Sequence, residues 1–168
     1  MKSNASTPVS ITLIVPGPPH ATQRARARFG SKYLYDPQKQ EKAIVRHEIV
    51  QNLKELPNQN LYLFENAVYF DTAAFFEVDL CFYMPTPKYA RTAIEMRNLS
   101  TCYCTTKPDV DNLAKFYLDC MNGLVYQDDA AIVKLSVSKY LNNEPHTKIV
   151  VTAHYRDGTK PYESRTRV

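Results

Sequence analysis

Alternation of apolar and polar residues predicts four strands. Val9, Ile11, Leu13 and Val15 alternate with Ser10, Thr12 and Ile14, a half-buried strand that Pro16-Gly-Pro-Pro19 stops. Between Ala74 and Met84, Phe76, Val78, Leu80, Phe82 and Met84 share one face, and Glu77, Asp79, Cys81 and Tyr83 share the other, as expected of a central strand. Val133, Leu135 and Val137 alternate with Lys134, Ser136 and Ser138, and Ile149, Val151, Ala153 and Tyr155 mark a return strand. The Asn142–His146 turn between these last two predicts a hairpin.

Helical spacing fills the gaps. Asp36-Pro37 reads as an N-cap with proline at the first helical position, opening a helix to about Leu53 with Val45, Ile49 and Leu53 on one side. Thr86-Pro87 repeats that start for a helix to about Asn98. The strongest stripe is Leu113, Phe116, Tyr117, Cys120, Met121 and Leu124, in a helix ended by Asn122-Gly123. Asp128-Asp129 reads as a further cap, Thr101–Thr106 as a short extended segment, and Glu55–Ala67 fits no pattern. About four strands and three helices in this order predict an α+β fold, a mixed or antiparallel sheet with helices packed on it.

Length and composition change this picture little. The 168 residues suit a single domain, 1–168, with 1–8 and 158–168 as flexible ends. No apolar run approaches a membrane span and Met1–Pro8 has no apolar core, so the expected setting is cytoplasmic, with no membrane partner. Cys120 and Cys81 read as core residues, and Cys102-x-Cys104 lacks the partners of a zinc site, so all four thiols are expected free.

Charge is more informative in its distribution than in its net value of +4. From His20 to Tyr35 there are Arg24, Arg26, Arg28 and Lys32 and no acid. Alternating arginines on an extended backbone face one way and can track phosphates. Phe29 and Tyr33 between them either stack on unpaired bases or anchor the loop. The basic tail, Arg156 to Arg167, reads as a solvated end.

The candidate chemistry lies in Lys107-Pro-Asp-Val-Asp-Asn-Leu-Ala-Lys115. Asp109 and Asp111 stand at a helix mouth, Lys115 one turn on, and Asp129 follows a helix and a turn later, where the chain can return to the same end of the helix. Carboxylates with open water positions suit Mg²⁺, with Mn²⁺ equally compatible, and such an ion activates a phosphodiester. Lys115 would meet phosphate or position the nucleophile. The competing account is an ordinary helix, capped by Asp111, with an Asp111–Lys115 pair and a second cap at Asp128-Asp129. Glu77 and Asp79 are rival ligands, or simply a polar strand face.

The Lys107–Lys115 run, with Leu118-Asp119, Asn122-Gly123 and Asp128-Asp129 after it, resembles the signature of the RusA family of Holliday-junction resolvases. The strand ending in Pro-Gly-Pro-Pro, the following arginines and Lys139-Tyr140 are similar as well. The resemblance implies a homodimeric, Mg²⁺-dependent endonuclease that nicks four-way DNA junctions symmetrically. It implies catalytic carboxylates at Asp109, Asp111 and Asp129, with Asp128 as the alternative, an essential lysine at Lys115 and a phosphate contact at Lys107. Two other readings are a non-catalytic branched-DNA-binding protein and a metal-dependent hydrolase of small phosphate esters.

Overall fold

The computed structural model describes residues 7–23, 36–56, 68–70, 72–88 and 102–156, and the backbone of 26–27 and 34–35. Within these, β1 is Val9–Pro16, β2 Arg26–Ala27, β3 Leu34–Tyr35, α1 Lys39–Glu55, β4 Phe75–Pro85, α2 Val110–Met121, β5 Ile132–Asn142 and β6 His146–His154, with a 3₁₀ turn at Asp129–Ala131. β2 and β3 form a small antiparallel pair; the main sheet has the order β1-β6-β4-β5. The fold is α+β: a mixed four-stranded sheet with two helices and the 3₁₀ turn packed on it. The expected helix over 86–98 falls almost wholly on 89–101, outside the described residues, as does most of 55–67. No helix among the described residues is long and apolar enough to cross a membrane.

β4 is central, as its apolar row predicts, but β5 and β6 do not form a hairpin. β5 runs parallel to β4, and β6 lies antiparallel to β4 on its other edge and antiparallel to β1 beyond. The local turn signal was overruled by β4, whose buried row Phe76, Val78, Leu80, Phe82 and Met84 gains a neighbour on each edge. β4 stops at Pro85, so the short link 143–145 passes its end. Gly17 N–H donates to the Pro145 carbonyl (3.0 Å) and Thr86 N–H to that of Asn142 (3.1 Å), pinning the crossing. Gly17 takes φ +90°, a conformation that side chains disfavour.

Parallel pairing of β4 and β5 requires a crossover, and α2 supplies it. A helix in that position starts near the carboxyl ends of its flanking strands, the end at which open α/β sheets place ligands. α2 is anchored by Leu113, Phe116, Tyr117, Cys120 and Met121, each at most 1% exposed. Each such side chain contributes roughly 1.5–3 kcal/mol of burial. α1 packs Val45, Ile49 and Leu53 beside it, against β1. The opposite face of the sheet, with Glu77, Asp79 and Cys81, carries no helix among the described residues. Cys81 is therefore only half-buried, while Cys104 and Cys120 are buried, and all four thiols are free. Burial pushes the Cys120 thiol up to about 12, which leaves it unreactive.

The start of α1 also differs from expectation. The helix begins at Lys39 after Gln38, and Asp36 accepts from Gln38 N–H (2.9 Å), closing a turn ahead of the helix instead of capping it. This frees the buried Gln38 amide to fix the chain entering the basic loop. Gln38 Nε2 donates to the Ala21 carbonyl (2.9 Å), and Gln23 N–H donates to Gln38 Oε1 (2.6 Å).

Candidate nuclease site

Two neighbouring open cavities run between α2 and β5. The first, of about 480 Å³, is bounded by Tyr103, Asp109, Asp111 and Lys139 among others. The second, of about 470 Å³, is bounded by Asp111, Lys115, Asp119, Asp129 and the apolar Val110, Leu135 and Val137. Asp111 lines both, so the sequence-predicted residues Asp109, Asp111, Lys115 and Asp129 border two adjoining cavities, together termed the groove.

The capped-helix account does not describe this end of α2. Asp109 occupies the N-cap position with extended backbone, yet its side chain makes no capping hydrogen bond. Among the described residues, no hydrogen bond or ion pair engages the side chains of Asp109, Asp111, Asp129 or Lys115. Asp111 and Lys115 stand one turn apart without pairing. Asp128 behaves differently: its carboxylate accepts from Ala130 N–H (2.9 Å) and caps the 3₁₀ turn. The adjacent acids thus divide, Asp128 toward its own backbone and Asp129 toward the groove.

Exposed carboxylate oxygens without protein partners suit Mg²⁺ or Mn²⁺ in chemistry. As the side chains stand, no three His, Cys, Asp or Glu residues among those described group tightly enough to hold one ion. Asp111 is the common element, flanked by Asp109 in one cavity and Asp129 in the other. The rivals Glu77 and Asp79 lie on the far face of the sheet. Glu77 is paired there with Lys134 (2.9 Å) and with His154 (3.1 Å), and the Lys134 bond holds its carboxyl below the ordinary range.

Two further features position the groove. Lys139 donates to the carbonyls of Thr106 (2.5 Å) and Pro108 (2.7 Å), strapping the segment that delivers Asp109 onto β5. The pattern contained this signal: Lys139 follows Leu135 and Val137 on the apolar alternation of β5, where a lysine has no packing role. The second feature is the foot of the basic loop. Thr22 N–H donates to the Asn112 carbonyl (2.9 Å), and His20 stacks on Phe116 at 5.5 Å, so the chain enters that loop beside Asp111. Arg24, Arg28 and Lys32 lie outside the described residues, and Arg26 is described only by its backbone in β2. Lys107 is exposed next to the strapped segment.

Over 77 residues the chain is 36% identical to the uncharacterized protein YqaN of Bacillus subtilis (strain 168). That match covers 44% of this chain and 54% of the relative, so the chain spans about half the length of the relative it matches. Residues 16–152, from the end of β1 to β6 and including every groove residue, match the family of endodeoxyribonuclease RusA. The chain belongs to the RusA endodeoxyribonuclease family.

Proposed function

We propose that this protein is a metal-dependent endonuclease that resolves four-way and other branched DNA by paired symmetric nicks, acting as a homodimer. The observation that carries this reading is the set of unengaged charges, Asp109, Asp111, Asp129 and Lys115, around one groove of a RusA-family chain. Acids that stabilise a fold are normally paired or capping; these are kept available.

Asp109, Asp111 and Asp129 would hold Mg²⁺ or Mn²⁺. Such an ion, when bound, supplies Lewis-acid polarisation of the phosphodiester and a more acidic water. The ammonium of Lys115 balances the charge that develops on the phosphate in flight. Lys139 keeps Asp109 in place through the carbonyls that precede it. Arg24, Arg26, Arg28, Lys32 and Lys107 draw in the flanking phosphates, so binding weakens as salt rises.

The dimer reading is supported by exposed apolar residues beside the groove: Val110 is 41%, Val133 65% and Leu135 43% exposed. The last two lie on β5, an edge strand of the sheet. A two-fold assembly offers two grooves to the two strands that resolution must cut.

Incubation of the protein with a synthetic four-way junction and a linear duplex of the same sequence tests the reading. Expected are paired nicks in the junction, dependent on Mg²⁺ or Mn²⁺, and little cutting of the duplex. Tight junction binding without nicking in either metal would leave a binding protein, and turnover of small phosphate esters alone would leave a phosphoesterase.

A further inference from the structure

Four aromatic rings cross, in one row, the face of the sheet that carries no helix among the described residues. Tyr103 pairs with Tyr140 through an isolated bridge on the outer edge of β5. Tyr140 is in register with Tyr83 of β4, and Tyr83 with His146 of β6. The rings stack in that order, at 5.2 Å and 26°, 5.6 Å and 28°, and 4.2 Å and 17°. Each ring is thus supported by its neighbour on the next strand, and the row is rigid because the register is.

Tyr103 ends the row. It is 67% exposed, and it also borders the cavity that holds Asp109, Asp111 and Lys139. Its ring is not needed to hold the segment in place. Cys104 N–H donates to the Lys139 carbonyl (2.9 Å) and Leu141 N–H to that of Cys102 (2.7 Å), so the backbone alone fixes 102–104 on β5. A large aromatic surface is held in solvent, backed by a second ring, at the rim of an acidic groove flanked by the cationic Lys107 and Lys139. These cations complement a phosphate backbone, and a flat π-face complements an unpaired base.

We propose that Tyr103 is a stacking platform for an unpaired nucleobase of the strand whose phosphate enters the groove. The inference rests on the nucleic-acid reading above and names the group that places the strand. Tyr140, Tyr83 and His146 hold the platform flat, and the exposed Lys107 offers its charge to an adjacent phosphate. Because stacking is tolerant of base identity, this contact selects for an unpaired base and not for a sequence.

The test uses two forked DNAs without divalent metal. One carries a single-stranded thymine arm; in the other the arm has the same sugar–phosphate chain with abasic sites in place of the bases. Tyr103→Ala is expected to weaken binding of the thymine fork by about tenfold and to leave the abasic fork within about twofold. Tyr103→Phe, which keeps the ring, is expected to bind both forks as the wild type does. Equal losses on the two forks, or no loss on either, would overturn the platform while leaving DNA binding intact. Loss of dimer in Tyr103→Ala on gel filtration, with an unchanged preference for bases over abasic sites, would assign the ring to a protein interface and overturn it as well. A wild type that binds neither fork nor a four-way junction would overturn the nucleic-acid reading and this inference with it.

Discussion

The two ends of α2 carry similar residues and use them in opposite ways. At the carboxyl end the carboxylate and several of the last carbonyls are engaged. Asp119 pairs with Lys42 (3.2 Å), which also pairs with Asp36 (2.9 Å). Arg46 Nη1 donates to the carbonyls of Cys120 (2.9 Å) and Asn122 (2.8 Å), two acceptors that the helix itself leaves without partners. Tyr126 donates its hydroxyl to the Leu118 carbonyl (3.2 Å), and Gly123 takes φ +70° to turn the chain. At the amino end Asp109, Asp111 and Lys115 engage nothing among the described residues. Asp111, Lys115 and Asp119 lie on one polar stripe, so helix periodicity cannot explain the difference. α1 does, because it supplies Lys42 and Arg46 to the carboxyl end and no side chain to the other. The lesson is that a charge on this helix is structural where α1 can reach it and available where it cannot.

Substitution at the amino end should give the largest effect. Asp111→Asn is expected to lower the single-turnover rate of junction cleavage by roughly 10³-fold or more. Its thermal midpoint should stay at the wild-type value, because no partner is lost. Next, Arg46→Met should cost about 2–3 kcal/mol in urea unfolding, since two carbonyls lose a charged donor, while the folded fraction still cleaves. The neighbouring acids separate on a smaller scale. Asp128→Ala should cost about 1 kcal/mol as a lost cap and leave cleavage intact, whereas Asp129→Asn should reduce cleavage at unchanged stability.

The smallest effect concerns pH. The Lys42 hydrogen bond, and then Gln38 N–H, hold the Asp36 carboxyl below its ordinary 3.8. A depressed carboxyl contributes stability above that value and loses it as pH falls through the folded one. Burial pulls the Lys42 ammonium down, but the bonds to Asp36 and Asp119 outweigh it and raise the group above 10.5. Its contribution is present below 10.5 and is lost as pH rises through the folded value. The stability gap between wild type and Lys42→Met, less than about 1 kcal/mol for a part-exposed network, should be flat between these limits and close beyond either one. Urea midpoints across pH measure it.

The strands, the α1 stripe and the amphipathic α2 were legible because each buries one regular face, and regular burial writes a period into the sequence. Strand order was not. A turn such as Asn142–His146 signals a local hairpin, whereas the placement of β6 depends on β4, a strand distant in sequence. The acids of the groove were legible as residues, and alternation along β4 already put Glu77 and Asp79 on the face away from its apolar row. What spacing left open was engagement: whether Asp111 pairs with Lys115, and which of Asp128 and Asp129 caps. That depends on what neighbouring elements bring within reach. Lys139 and Tyr103 were missed as site residues for the same reason, since their positions follow from the pairing of 102–104 with β5.

The two ends of α2 are separated most sharply by the junction-cleavage rates, with Mg²⁺ present, of Asp111→Asn and Asp119→Asn, each read beside its thermal midpoint. Asp111→Asn is expected to be nearly inactive but fully stable, and Asp119→Asn active and slightly destabilised. Equal activity in the two variants, or a stability loss in Asp111→Asn matching that of Asp119→Asn, would contradict the division of α2 into a structural end and a working end.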